Sequence, residues 1–410
     1  MRRGGKSWSA PVGGTVDDGY GPVADAFRAN FTDRGDIGGA VSVYRNGAKI
    51  VELWGGYRDR RKRTPWRDDT LVTVFSTTKG VAAIAVAVAV SRDWLDYDAP
   101  VSQYWPDFAQ AGKEHVTVRQ LLSHQAGLAA LDPCPTLADV ADTERLSAML
   151  AAQRPAWPPG QFHGYHAVTL GWYESELIRH VDPAGRTLGR FFADEIARPL
   201  CLDMHVGLPG AVDRNRVAHV YGWHPVQTLL HLDTMVPRVT LALMNPRSLT
   251  SRAFMIPADV AGLDAMANRE EVRAVEIPAS NGIGTASAIA ALYGAAATAD
   301  ERLGLTDATR AALTAGPTLP TYGRKDKVMF IDTNYSLGFW KPFEAFQFGS
   351  SGRAFGTPGA GGSFGFADPD TGIGFAYVTN RLGFSPWSDP RELAVRRALY
   401  ETVLGGRPQS

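Results

Sequence analysis

Ser76-Thr77-Thr78-Lys79 opens the longest apolar run of the chain, Val81 to Val90, and that run reads as a fully buried helix. Residues at i and i+3 share one helix face, so the Ser76 hydroxyl and the Lys79 ammonium are neighbours at the positive end of the helix dipole. Burial and the like-signed dipole both lower a lysine pKa, and a partly neutral amine can accept a hydroxyl proton. The tetrapeptide is therefore a candidate nucleophile with its partner. The alternative is a serine N-cap followed by an ordinary surface lysine, and the buried helix weighs against it.

Composition frames this reading. The chain has 410 residues, too many for one small core and suited to two intimately packed domains or one large one. A hydrophobic share of 45% with 20% charged residues belongs to a soluble globular protein. Forty-two basic residues balance 42 acidic ones, which argues against nucleic acid or a membrane surface as partner. Cys134 and Cys201 are too few for a disulfide framework and are not spaced as metal ligands. Met1-Arg2-Arg3-Gly4-Gly5-Lys6 is basic but no apolar signal core follows it, and Val81 to Val90 is too short to span a bilayer. The expectation is a cytoplasmic protein whose first fifteen or so residues are loosely ordered.

Strand patterns gather at the two ends. Ala40 to Tyr44 and Ile50 to Trp54 alternate around Asn46-Gly47, a strong hairpin turn because both residues tolerate positive φ. Helices follow the Ser76 run: Val118 to Ser123 capped by Thr117, about Val168 to Val181, Leu188 to Ala197 capped by Thr187, and Ala286 to Ala297. The chain then returns to strands at Tyr335 to Trp340, Ser363 to Ala367 and Ile373 to Thr379, and closes on a helix from about Pro390 to Val403. This order predicts an α/β (α+β) fold: an antiparallel sheet flanked by helices, with an all-helical region inserted in it. Residues 1–75 and 300–410 would form the sheet-containing domain and 76–299 the mainly helical one, with the active site at the seam.

Four ordered motifs carry a family resemblance. Val74-Phe75-Ser76-Thr77-Thr78-Lys79-Gly80, Leu121 to Leu128, Pro159-Gly160 leading to Tyr165-His166-Ala167, and Phe355 to Gly362 resemble the successive signatures of the serine β-lactamase and penicillin-binding-protein superfamily. Within it they are most similar to the class C-like branch that includes the family VIII carboxylesterases. The resemblance covers roughly residues 20 to 405 and implies a class C β-lactamase-like fold. It implies that Ser76 is the acylated nucleophile, Lys79 its partner, and Tyr165 the tyrosine that shuttles the proton to the leaving group. Beside a lysine and a helix N-terminus a phenol pKa falls, which makes Tyr165 a second candidate for the general base. The N–H groups of Ser76 and Ala360 would form the oxyanion hole, and small residues such as Gly359 would let substrate approach the backbone. Thr357 and Gly359 on this edge, and His166 beside Tyr165, are the expected substrate contacts.

Departures from the family pattern bear on the substrate. Thr357 stands where β-lactamases have a lysine and many related esterases a histidine, so no cation is present to hold a β-lactam carboxylate. Ala167 replaces an asparagine that would bind an acylamino side chain. Both point to a small-molecule, uncharged substrate: a short-chain or small neutral carboxylic ester, cleaved without metal or organic cofactor. The alternatives are a β-lactamase, a D-amino-acid peptidase or amidase, a transacylase, or a retired penicillin-recognition fold acting as a binding protein. Intact Ser76, Lys79 and Tyr165 weigh against the last.

Other constellations are weaker. Ser123-His124 are adjacent on a helix and point in different directions, which favours structural capping over a catalytic pair. His163 and His166 share a loop, but no zinc motif accompanies them. Trp157, Trp172, Trp223 and Trp340 read as core. The apolar, mostly irregular segment His224 to Ile256 is a candidate wall for the acyl pocket. Cys201 falls where relatives tend to have glycine.

Overall fold

The computed structural model describes residues 11–222, 237–260 and 262–405. Its strands, in chain order, are β1 (Val12–Val16), β2 (Gly38–Arg45), β3 (Ala48–Asp59), β4 (Thr64–Pro65), β5 (Val72–Thr73), β6 (Met204–Val206), β7 (Gly282–Gly284), β8 (Tyr335–Ser336), β9 (Phe339–Trp340), β10 (Phe355–Pro358), β11 (Phe364–Asp368) and β12 (Ile373–Thr379). The hairpin at Asn46-Gly47 forms as its residues require, with φ of 49° and 82°. The main sheet runs β1-β3-β2-β12-β11-β10-β9-β8, with β4 attached to β3. All its pairings are antiparallel, and β12 lies between β2 and β11. The first and last parts of the chain thus meet in one sheet, as the order of patterns predicts. A small second sheet, β5-β7-β6, ties the strand before Ser76 to the helical region.

Helix Ala286–Ala297 packs across β2, β11 and β12. The contact is close because Gly294 on the helix faces Gly374 on β12, where a Cβ would overlap the Gly294 amide and the Ala290 carbonyl. This helix therefore lies on the sheet, although a boundary at residue 299 assigns it to the helical region. We propose the same two-part division with that helix moved to the sheet side. On the opposite face, helix Gly21–Thr32 and the C-terminal helix beginning at Pro390 pack against each other. Asn30 joins them, donating from Nδ2 to the Tyr377 hydroxyl (3.2 Å) and to the Arg391 carbonyl (3.1 Å).

Three expectations change. Residues 12–16 form β1, paired with β3, so order begins earlier than the composition of the N-terminus suggests. Tyr335 to Trp340 is a tight hairpin instead of one strand, because Leu337 and Gly338 both take positive φ (51° and 88°). The segment expected to be irregular holds helices Pro237–Met244 and Leu249–Phe254 in its described part. Trp223 and residues 224–236 lie outside the described residues. Cys201 has φ 52°, the left-handed conformation that makes glycine the easier residue there.

The Gly294–Gly374 contact gives a direct test of this packing. Gly374→Ala should destabilise the protein by about 3 kcal/mol, the upper end of the cost of overpacking, because backbone and not a movable side chain obstructs the new methyl. Thermal unfolding of the variant beside the parent protein measures it.

Candidate active site

Helix Thr77–Ser91 starts at Ser76 and is buried from Thr77 through Ala89. Ser76 is the partly exposed residue in an otherwise buried stretch from Thr70 to Ala89, so it is the residue of this stretch that solvent reaches. Phe75 just before it has φ 48°, a turn that swings the chain from β5 into the helix.

Lys79 is 1% exposed, and three contacts describe its amine. Nζ donates to the carbonyl of Ala167 (2.6 Å) and to that of Ala279 (2.9 Å), and lies 3.2 Å from Ser76 Oγ. A neutral amine has two N–H groups and one lone pair. The two carbonyls take the N–H groups, which turns the lone pair toward the serine hydroxyl. Burial pulls the Lys79 pKa down to about 7, partly offset by the charge of Glu174. The Ala167 position, expected to matter through a missing asparagine, acts here through its backbone.

Tyr165 lies close enough to Ser76 for the serine hydroxyl to act on its phenol. Lys79 Nζ is 4.9 Å from the centre of its ring. His124, Tyr335, Phe254 and Trp340 surround that ring, at 5.0, 5.8, 6.2 and 6.1 Å between centroids. Burial among them pushes the phenol up to about 12, and the Ser76 contact only partly opposes this. The expected fall in the phenol pKa is thus reversed: desolvation outweighs the nearby positive end of the helix, and the lysine, not the tyrosine, is the group poised near neutrality.

The loop that carries Ala360 is fixed from two directions. Ser363 Oγ donates to the Val74 carbonyl (2.8 Å) and the Gly359 amide donates to the Ser363 carbonyl (2.7 Å), which pins the end of β10 to the residues just before Ser76. A Cβ on Gly359 would collide with Ser363 Oγ and the Val74 carbonyl, so this glycine admits the neighbouring chain and not the substrate. From behind, buried Arg391 donates to the Gly361 carbonyl (2.9 Å) while held by Asp389 (2.8 Å) and Asp36 (3.1 Å). The amides of Ser76 and Ala360 make no hydrogen bond within the protein among the described residues, which leaves both available to an oxyanion.

The other two expected substrate contacts, Thr357 and His166, are both buried. Thr357 is wholly buried, and a Cβ on Gly80 would lie 3.1 Å from its Oγ1 and against the Tyr293 hydroxyl, so its side chain faces the inside of the fold. His166 is also wholly buried: Nδ1–H donates to the Gly164 carbonyl (2.6 Å) and Nε2 accepts from the Leu128 amide (3.0 Å). Its amide donates to His124 Nδ1 (3.0 Å). Both imidazoles are used up in shaping the loop that carries Tyr165, which extends the structural reading of His124 to His166.

Sequence reasoning missed several neighbours. Asp326, fully buried and pushed up to about 6, accepts from the amides of Val328 and Met329 (both 2.7 Å) behind Tyr165. Glu174 is fully buried beside the lysine. Its signal was present: Leu170, Tyr173, Leu177 and Ile178 follow the helical spacing of a core-facing stripe, and Glu174 falls inside it. A further missed feature is a cavity of about 530 Å³ that includes Ala360 and Gly361 in its wall. Val239, Leu243, Phe254, Ile256, Met266 and Leu382 make it apolar, and no lysine or arginine stands among its described lining residues. Its walls come from distant parts of the chain, Val239 to Met266 on one side and Ala360 to Pro386 on the other.

A partly exposed serine bonded to a desolvated lysine, at the start of a buried helix between a sheet and an inserted helical region, defines a serine-nucleophile hydrolase. The chain belongs to the Beta-lactamase family, whose profile matches residues 24–399. It is 35% identical to the esterase/beta-lactamase LipL of Mycobacterium tuberculosis over 90% of this chain and 83% of that one. Among solved structures it resembles a family VIII carboxylesterase (35% identity, TM-score 0.84) and a penicillin-binding-protein homologue from Caulobacter crescentus (37%, TM-score 0.82). Each covers 96% of this chain and 100% of its own.

The histidine cluster sets an acid limit on stability. Burial depresses His124 well below its ordinary value, His163 to about 4 and His166 to about 3. A group with a depressed folded pKa withholds a proton that the unfolded chain takes up below about pH 6.5, so its stabilisation is present above that pH and is lost as pH falls toward the folded value. Each such histidine costs about 1.4 kcal/mol per pH unit within that window. Urea unfolding between pH 7 and 5 should show a steep loss, and His163→Gln should reduce the slope by about one proton.

Proposed function

We propose that this protein hydrolyses neutral carboxylic esters through a Ser76 acyl-enzyme, with Lys79 as the general base. The carrying observation is the buried amine held between two carbonyls, 3.2 Å from the serine hydroxyl. Ser76 Oγ attacks the ester carbonyl carbon as its proton passes to Lys79 Nζ, and the Ser76 and Ala360 amides receive the oxyanion. Collapse breaks the bond to the alkoxide, which takes the proton from the Lys79 ammonium by way of the Tyr165 phenol. A phenol that stays protonated suits such a relay. Water then attacks the acyl carbonyl as Lys79 again accepts the proton, and collapse breaks the bond to Ser76 Oγ, which takes that proton back from Lys79 as the carboxylic acid leaves.

The apolar cavity beside Ala360 supports an uncharged substrate. A β-lactam carries a carboxylate, and nothing cationic in the described lining would meet it. A volume of about 530 Å³ is in the range of pockets that enclose whole drug-sized ligands, so a short acyl chain is a lower bound on the group it takes. We read the substrate as an ester with one substantial apolar half. Hydrolysis of β-lactams is the second reading, favoured by the double name of the Mycobacterium tuberculosis relative.

Steady-state kinetics on p-nitrophenyl esters of increasing chain length and on a chromogenic cephalosporin test these points. Ser76→Ala should lose several orders of magnitude in kcat while remaining folded. Parent kcat/KM should fall below about pH 7 as Lys79 takes a proton and should reach a plateau above it, since the phenol at about 12 contributes no limb in that range. Esters should exceed the cephalosporin in kcat/KM, and hexanoate should match or exceed acetate. Preference for the cephalosporin would move the assignment to the second reading.

A further inference from the structure

A second cavity, of about 340 Å³, lies among Phe31, Ile37, Tyr57, Asp36, Arg60 and Arg381 and shares no lining residue with the apolar cavity beside Ala360. Its size is within the range of small-molecule sites, and its make-up is theirs too: apolar and aromatic side chains with a few charged groups.

The charges of this cavity do not balance. Asp36 is the acid among its described lining residues, and its side chain is 0% exposed. Its Oδ1 accepts from the Ile37 amide (2.9 Å), the Thr379 hydroxyl (2.8 Å) and Arg391 (3.1 Å), and its Oδ2 accepts from the Tyr377 hydroxyl. The carboxylate is therefore engaged in the network behind the wall. Two guanidiniums remain. Half-buried Arg381 donates from Nη1 to the Gly35 carbonyl, and the side chain of Arg60 makes no hydrogen bond; neither has a carboxylate within ion-pair distance among the described residues. A guanidinium carries five N–H donors in a planar fork that matches an oxyanion. Burial, with the positive charges of Arg391 and Arg60, holds the Arg381 guanidinium below its ordinary value against the pull of Asp36 and Asp389.

The position of Arg60 is fixed by its backbone. Arg60-Arg61-Lys62-Arg63 is the turn between β3 and β4. Asp59 Oδ1 accepts from the amides of Arg61 (2.9 Å) and Lys62 (3.1 Å), and the Tyr221 hydroxyl accepts from the Arg60 amide (2.6 Å). Since the chain as a whole is neutral, four successive cations make a local positive field at this cavity.

We propose that the cavity binds a small organic anion, with its oxyanion head, a carboxylate or a phosphate, between Arg60 and Arg381 and its apolar body against Phe31, Ile37 and Tyr57. An oxyanion placed there replaces the mutual repulsion of the two guanidiniums with charge-assisted contacts. The site is additional to the ester-hydrolysing one and does not rest on it.

Isothermal titration calorimetry of the full chain with phenyl phosphate, benzoate and inorganic phosphate tests this. Phenyl phosphate and benzoate should each bind at one site, and phenyl phosphate more tightly than inorganic phosphate, which has no apolar body. Arg60→Gln and Arg381→Gln should each weaken both organic anions about ten-fold or more, the loss of a charged hydrogen bond. Arg60 is exposed on its turn, so its variant decides the matter if Arg381→Gln folds poorly. Affinity should also fall as NaCl is added. Labelling Ser76 beforehand with a fluorophosphonate should leave binding unchanged. Binding lost on labelling places the anion in the catalytic cleft and overturns this site while leaving the ester reading intact. No saturable binding of either organic anion into the millimolar range overturns it, as does an affinity within about two-fold of the parent in both variants. Sedimentation with phosphatidylglycerol vesicles in place of binding to the free anions assigns the arginines to a lipid headgroup and overturns the small-molecule reading.

Discussion

The whole arrangement depends on one constraint, the burial of a primary amine. Helix Thr77–Ser91 is enclosed almost all round, so Lys79 cannot reach water and must find its partners inside. It finds two carbonyls, from Ala167 and Ala279, and these come from separate segments of the helical region. Desolvation weakens the ammonium, the carbonyls orient the amine, and the remaining direction is occupied by Ser76. Placing a lysine in a core is costly, and here the cost holds a weakened ammonium 3.2 Å from the Ser76 hydroxyl.

The sheet supplies the other half of the site. Its edge is pressed so closely on the start of the nucleophile helix that Gly359 cannot carry a side chain, and Ser363 bridges back to Val74. Arg391, itself clamped by Asp36 and Asp389, holds the Gly361 carbonyl from behind. Because Asp36 comes from the first part of the chain and Arg391 from the last, the clamp on the Gly361 carbonyl joins both ends of the chain. Breaking one partner of such a buried network leaves a charge uncompensated, so the loop and the sheet are coupled in stability.

Around Tyr165 the protein uses aromatic packing in place of charge. His124, Tyr335 and Trp340 fix the ring, while neutral imidazoles take the backbone hydrogen bonds of the loop that carries it. This apolar surrounding keeps the phenol protonated and continues, through Phe254, into the wall of the large cavity. One apolar environment therefore encloses the phenol and extends to the cavity wall.

Local sequence was enough for much of this. The Asn46-Gly47 turn, helix Ala286–Ala297 and strand Ile373–Thr379 follow from turn chemistry and periodicity, which act within a few residues. The spacing of Ser76 and Lys79 on one helix face, and the order of the motifs, named the candidate site. What sequence alone left open were quantities set by neighbours far along the chain. Burial decides that the lysine and not the tyrosine lies near neutrality, that Thr357 and His166 turn inward, and that Gly359 makes room for backbone. The cavity beside Ala360 exists only where residues 239–266 meet residues 360–386, and its apolar character is a property of that meeting. Spacing along the chain determined which groups share a face, whereas the dielectric around them, and hence their chemistry, came from tertiary packing.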